Sequence, residues 1–384
     1  MFGKCQFSKL GISVVAIYSL ALVRMKILIV KLGSIGDIIH TLPACAAIRN
    51  ALPDAEISWV AEKRSAEILR GNPLIDNLIE VDTRFLRGGK VIEEILLDVS
   101  GQVRDLRKFS FDVAIDFQGL LKSAMIAKLS GAKVRYGFSK NNLREPASRI
   151  FLNRSIKVPL KTHIIRKNLM LAEKALQFRA PHDNFDFPIF TDEEHRSEAR
   201  GIIEQAGGNF AILNPAGGWV TKLWHPEKYG ILADRLWEEN GLISIVATGP
   251  SELELAEKVL NNSKSGKAIA VQPSLKGFFE LAKHAAVYVG GDTGPTHLAI
   301  AAGTPVVGIF GPTEWWRNGS TNFDDVCVRR IDIGCRVDCH RRTCSNWVCM
   351  DIGVETVFEA VRSRLEKNSG QAGILSNSSG VKSR

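Results

Sequence analysis

Short apolar runs recur along this chain, separated by segments with helical spacing. From Met25, KILIVK (26–31) reads as a buried strand and DIIHTLPACAAIRNALP (37–53) as a helix. EISWVAE (56–62) and NLIEVD (77–82) read as strands, and KVIEEILLDVSGQVRDLRKF (90–109) as a helix. FDVAIDFQG (111–119) is a strand, LLKSAMIAKLSG (120–131) a helix and KVRYGF (133–138) a strand. Uninterrupted apolar strands alternating with helices predict a parallel sheet covered on both faces.

The periodicity lapses in APHDNFDFPIFTDEEH (180–195), where prolines and aspartates suit a linker. It then restarts. NFAILNP (209–215), LISIVATG (242–249), AIAVQ (268–272), VYVGG (287–291) and PVVGIFG (305–311) are strands. PEKYGILADRLWEEN, SELELAEKVLNN, LKGFFELAKHA and PTHLAIAAG are the helices between them. The expected organisation is therefore two Rossmann-like α/β domains, 25–185 and 190–352, facing across a cleft. An amphipathic helix (353–368) closes the second domain, and the Ser-, Gly- and Asn-rich residues 369–384 read as a disordered tail. In such sheets ligands sit at the carboxyl ends of the strands.

Residues 1–24 carry an apolar run of 14 residues, Leu10–Val23, too short for a confident membrane span. The favoured reading is an upstream start codon, with Met25 the natural beginning. A short membrane-associating helix and a cleaved signal segment are the alternatives.

Composition changes the picture in one respect. With 384 residues, 45% hydrophobic, the chain is ordinary globular protein, but its formal charge of +9 calls for an anionic partner. No basic run is interleaved with aromatics, so nucleic acid is not indicated. Seven cysteines in a chain this long do not make a secreted disulfide scaffold.

The chemistry lies at strand ends. In KLGSIGDIIHT (31–41) Gly33 and Gly36 free a turn and Asp37 opens a helix. A dinucleotide fingerprint or a P-loop would need glycines or a G-K-[ST] that are absent. Asp37 is either a helix cap or a general base at the cleft mouth. In GGDTGPTH (290–297) the turn Asp292-Thr293-Gly294, followed by Pro295, aims backbone N–H groups and the positive end of a helix dipole outward, which makes an anion site. His297 lies one turn in, facing the cleft or satisfied within the fold. In NPAGGWVTKLWHPEKYG (214–230) Gly217 and Gly218 permit close approach and Lys222 can reach a phosphate. Glu252 opens a further helix and is either a ribose ligand or an N-terminal cap. Four such features at strand ends of one domain predict a nucleotide site. No D-x-D occurs, so a metal-held nucleotide sugar is not indicated.

MKILIVKLGSIGDIIHTLPA, IDFQGLLKSA, RYGFSKNNLREPASRIFLNR, NPAGGWVTKLW and GGDTGPTHLAIAAGTPVVGIFGPT, in that order, resemble the lipopolysaccharide heptosyltransferases of glycosyltransferase family 9. REPASRIFLNR is most similar to the heptosyltransferase I branch. The resemblance spans Met25 to about Lys367. It implies a GT-B fold and inverting transfer of heptose from ADP-heptose to the Kdo region of Kdo2-lipid A or a similar anionic glycolipid. It further implies a monomer working peripherally at the cytoplasmic face of an inner membrane, with no required cofactor and Mg at most a stimulant. Carried over position by position, Asp37 matches the base, Lys222 the lysine that neutralises the ADP phosphates, and Asp292, Thr293, Gly294 and His297 the donor turn and its helix. Glu252 matches the acid on the adenosine ribose. Gly36, Lys122, Arg135, Lys140 and Arg144 are expected to meet the acceptor.

This chain departs from the branch at Gly217 and Gly218, which stand where hydroxyl residues are common. KLWHPE also has one residue more than the usual spacing. A different donor or acceptor within the family is the alternative, followed by a nucleotide-sugar epimerase and a non-catalytic nucleotide-sugar-binding protein. CRVDCHRRTCSNWVCM places Cys335, Cys339, Cys344 and Cys349 at spacings that fit a structural metal site only moderately; reduced, partly buried thiols are the favoured reading, a structural metal the second, and disulfide or redox roles the third.

Overall fold

The computed structural model describes residues 24–82, 101, 103–181, 183–335, 339 and 341–378. Two six-stranded sheets form, each parallel throughout. The first contains β1 (Lys26–Val30), β2 (Glu56–Glu62), β3 (Asn77–Val81), β4 (Val113–Asp116), β5 (Val134–Phe138) and β6 (Arg154–Ile156), in the order β3-β2-β1-β4-β5-β6. The second contains β7 (Phe210–Asn214), β8 (Ile243–Ala247), β9 (Ala268–Val271), β10 (Val287–Gly291), β11 (Val306–Ile309) and β12 (Val326–Val328), in the order β12-β11-β10-β7-β8-β9. Counted from the first strand of each sheet, the two orders are the same. Each sheet has one point where neighbouring strands lead away in opposite directions, between β1 and β4 and between β7 and β10. Ligand crevices open there.

The helices are α1 (Ile35–Ile39), α2 (Leu42–Ala51), α3 (Leu121–Leu129), α4 (Ile164–Leu176), α5 (Glu193–Ala206), α6 (Pro226–Asn240), α7 (Leu253–Asn261), α8 (Leu275–Ala282), α9 (Gly294–Ala301), α10 (Trp315–Asn318) and α11 (Val354–Ser378). The helix expected over 37–53 is two. It breaks at His40–Thr41 because Pro43 has no N–H to continue the ladder and instead suits the first turn of α2. α5 begins inside the expected linker. Asp192 caps it by accepting from His195 N at 3.2 Å, and Gly207, at φ 71°, ends it. α11 runs to Ser378, past the point where the sequence places a disordered tail, since an established helix propagates at one bond per residue. The expected helix over 90–109 lies largely outside the described residues, although 103–108 are helical. Residues 1–23, with the apolar run, lie outside them too. No helix among the described residues is long and apolar enough to cross a membrane.

One apolar core joins the two sheets. Ile27, Ile29 and Ile115 of the first sheet belong to the same buried cluster as Ile212, Tyr288 and Leu298 of the second half. Separate clusters fill the outer faces: Leu28, Val30 and Ala124 on the first sheet, Leu213, Val289 and Phe358 on the second. Polar clasps supplement the shared core. Lys276 Nζ donates to Arg70 O at 2.6 Å, and Asn72 Nδ2 to Pro188 O at 2.6 Å.

α11 is anchored to the second sheet by a buried ion pair. Arg364 Nε donates to Asp325 Oδ1 at 2.8 Å, with side chains only 5% and 2% exposed, and the same oxygen accepts from Val306 N at 2.9 Å. Arg364→Met strands that carboxylate out of water. It is expected to lower unfolding free energy by about 3–5 kcal/mol in urea titration, and adding Asp325→Asn to recover part of the loss.

Candidate active site

β1 ends at Lys31, whose side chain is 3% exposed. Its ammonium donates to Phe117 O at 3.1 Å and lies 3.4 Å from Asp37 Oδ1. Gln118, leaving β4, accepts from Leu32 N at 3.1 Å and Gly33 N at 3.4 Å. Both strand exits at the first switch point thus hold the turn that carries Asp37. Asp37 occupies the third position of α1 rather than its cap. Ser34 is the cap, and Ser34 N donates to Asp37 Oδ2 at 3.0 Å. One carboxylate oxygen therefore fixes the turn, while the other faces Lys31, and the side chain remains 39% exposed. The carboxylate has lone pairs enough to brace the turn and still leave one oxygen available on its exposed side.

At the second switch point, β10 ends at Gly291, and a Cβ there would stand 3.1 Å from Lys222 O. The absence of a side chain lets the Lys222 turn settle against the strand. Lys222 Nζ then reaches Asp292 Oδ2 at 2.6 Å and Asp292 O at 3.0 Å. Asp292 Oδ1 accepts from Asn318 Nδ2 at 2.5 Å and lies 3.3 Å from His297 Nε2. Burial alone would raise the Asp292 pKa, but the His297 contact and the Lys222 ammonium outweigh it and hold the carboxyl well below its usual range. Thr293 caps α9, and Pro295 stands in its first turn.

The two switch points meet. A Cβ on Gly36 would lie 2.4 Å from His297 Cδ2, and one on Gly294 would lie 3.4 Å from Ile35. Between them opens a cavity of about 450 Å³. Its lining draws Ser34 and Gly36 from the first half and Gly217, Gly218, Glu252 and Gly294 from the second. Gly36, expected on the acceptor side, thus borders the same cavity as the residues expected to bind the donor. Glu252 borders it as well, with its carboxylate accepting from Gly249 N at 2.8 Å. His297 is buried, and its Nδ1 has no hydrogen-bond partner among the described residues.

Three residues that the sequence reading assigned no role belong to this region of the fold, His40 in contact with His297. His40 packs edge-on to His297, centroids 4.3 Å apart, and to His163, 6.3 Å apart. Burial first, then His297 and His163, pushes the His40 pKa well down. His163 Nε2 donates to Gly319 O at 3.0 Å and its Nδ1 accepts from Ile165 N at 3.3 Å, an arrangement only the neutral ring can make. Lys167 lies 4.4 Å from the Phe138 centroid and donates to Asn142 O at 2.8 Å. Burial, with Arg317 and Lys31 nearby, lowers its pKa to about 8.

The residues expected to meet the acceptor divide. Lys140 and Arg144 are exposed near the first sheet's carboxyl edge. Lys122 bonds Glu62 Oε1 at 2.5 Å. Arg135 is placed elsewhere: its guanidinium donates to Ala132 O at 2.8 Å and Phe151 O at 2.9 Å, so it ties the segment before β6 to β5. Cys335, Cys339, Cys344 and Cys349 line one small cavity with Thr221 and Trp347. All four are free thiols, and among the described residues no three His, Cys, Asp or Glu side chains are arranged to hold a metal ion.

Comparison with known proteins agrees with this arrangement. Residues 102–347 match the model of glycosyltransferase family 9 (heptosyltransferase). Lipopolysaccharide heptosyltransferase 1 of Pseudomonas aeruginosa is 30% identical over 84% of this chain and 88% of its own length. The heptosyltransferase 1 of Escherichia coli K12 is 28% identical over 76% of this chain and 89% of its own. Among solved structures, E. coli heptosyltransferase WaaC with ADP-2-deoxy-2-fluoro heptose superposes with a TM-score of 0.69 at 25% identity, covering 90% of this chain and all of that one (100%). E. coli ADP-heptose heptosyltransferase II, at 18% identity and a TM-score of 0.71, shares the GT-B fold over 90% of this chain and 100% of its own. With its paired Rossmann-like sheets and nucleotide-sized cleft, this chain belongs to glycosyltransferase family 9, the heptosyltransferases.

Proposed function

We propose that this enzyme transfers heptose, with inversion, from ADP-heptose to the Kdo region of a lipopolysaccharide inner core. The observation that carries the reading is the convergence of the Asp37 turn and the Lys222–Asp292–Gly294 turns on one cavity of about 450 Å³. That volume suits a nucleotide sugar. The donor is inferred from the relatives, lipopolysaccharide heptosyltransferases of which one was solved with ADP-2-deoxy-2-fluoro heptose.

The chemistry follows from the placement. Asp37 takes the proton of an acceptor hydroxyl as that oxygen attacks the anomeric carbon. The bond to the diphosphate breaks on the opposite side, and ADP leaves. Lys222 and the N–H groups at the start of α9 oppose the charge that develops on the leaving oxygen. Lys31 holds Asp37 in place. A single displacement inverts the centre and forms no covalent enzyme intermediate. Exposed Lys140 and Arg144, with the formal charge of +9, suit an acceptor bearing carboxylates and phosphates on an anionic membrane face.

The test is ADP release from ADP-heptose with and without Kdo2-lipid A. Release should require the acceptor, and Asp37→Asn should slow it by about 10²–10⁴-fold with ADP affinity kept. Release that survives the substitution would reduce Asp37 to a brace of its own turn. A folded, ADP-binding protein that releases nothing would point to another donor or acceptor.

The neutral histidines of the cleft set a pH limit. Burial above all lowers the His163 pKa from 6.5 to about 4, so the unfolded chain takes up the proton first. The stability that the neutral ring contributes is present above about pH 6.5 and lost as pH falls towards about 4. In urea titrations across that range the wild type should lose more stability than His163→Gln, by about 3 kcal/mol at most.

A further inference from the structure

The donor cavity has unbalanced charge. Glu67 and Glu252 line it, and among the described residues no lysine or arginine does. A nucleoside diphosphate sugar brings two negative charges into it. The start of α9 opposes part of that charge. Lys222 opposes more, but its ammonium is shared with Asp292 at 2.6 Å. Gly217 and Gly218 carry no hydroxyl to donate. Another cation is needed at the mouth.

The cysteine-rich segment delivers one. Thr221, next to Lys222, donates its hydroxyl to Arg341 O at 2.6 Å, and its own carbonyl accepts from Trp347 Nε1 at 2.9 Å. These two bonds fasten the segment to the phosphate-lysine turn. Arg342 then lies over the indole of Trp219, its guanidinium carbon 5.3 Å from the ring centroid. Lys222 Nζ stands 4.4 Å from the same centroid. Trp219 directly follows the two glycines that line the cavity. Two cations therefore converge on one aromatic ring at the edge of the nucleotide site, and the outer one is exposed. A guanidinium resting on an indole is held in place without its donors being used, and its planar fork matches phosphate oxygens.

We propose that Arg342, carried by the cysteine-rich segment and held by Trp219, is a second cation for the donor diphosphate. The assignment rests on the transferase reading and extends it. It also gives that segment a task at the site that requires no metal and no reactive thiol.

Calorimetry of the full-length protein with ADP and with adenosine tests it. Arg342→Ala should weaken ADP by about tenfold at low salt, the loss of one charge-assisted contact, and leave adenosine unchanged. The difference should shrink as salt rises. Arg342→Lys should recover most of the affinity, and the KM for ADP-heptose should rise while that for the acceptor stays. The thermal midpoint should not move, because the side chain is exposed. ADP affinity within twofold of wild type in Arg342→Ala, alongside a clear loss in Lys222→Ala, would overturn the proposal alone. Equal losses for ADP and adenosine, or a lowered midpoint, would overturn it by showing that Arg342 only props the segment. A wild type that binds no ADP would overturn the transferase reading and this assignment together.

Discussion

Gly36 leaves His297 no room for a methyl group, and the site depends on that contact. A Cβ at Gly36 would sit 2.4 Å from the imidazole. Such close approach is what brings the first half's Asp37 turn against the second half's α9. The shared apolar core sets the two sheets side by side. The glycine determines that their switch points touch rather than merely face each other. Everything chemical follows from this distance. Ser34 and Gly36 of the Asp37 turn line the nucleotide-sized cavity from one side of the contact, and Gly217, Gly218 and Gly294 of the Lys222 and Asp292 turns line it from the other.

Charge placement then decides what that cavity accepts. A buried carboxylate such as Asp292 is costly unless paired, and it is paired three ways, with Lys222, Asn318 and His297. The same bonds fix the Lys222 ammonium in place. The histidines do the converse. Kept neutral by burial, His40 and His163 add no cation of their own at neutral pH. The ammonium that faces Asp37 is that of Lys31.

Most of the architecture was legible in the sequence because parallel strands buried on both faces leave long apolar runs. β6 and β12 were not, since each is a three-residue edge strand with no such run. α5 was hidden by its polar start, which reads as linker although Asp192 is a standard cap. Asp37, Lys222, Asp292 and His297 could be picked out because glycine-rich turns at strand ends flag them. Lys31 and Gln118 also end strands, but their roles depend on which strands are neighbours, and adjacency is a property of topology. His163 and Arg135 show the limit from opposite sides. Neither residue type reveals whether its ring or guanidinium turns to the cleft or to a backbone carbonyl.

The cysteine-rich segment is where periodicity carries no information at all. It obeys neither helical nor strand spacing, and its four thiols invite a metal reading on spacing alone. The structure gives them a different context. They line a small cavity under a loop that is tied to the Lys222 turn through Thr221. Thr221 is buried, so any shift of the loop must shift the turn with it. Gly217 and Gly218 offer backbone access to the cavity but no hydroxyl donors, and beside them the tethered loop carries Arg342 over Trp219. In the proposed site, backbone access at the glycines is complemented by a cation reaching in from outside the Rossmann frame.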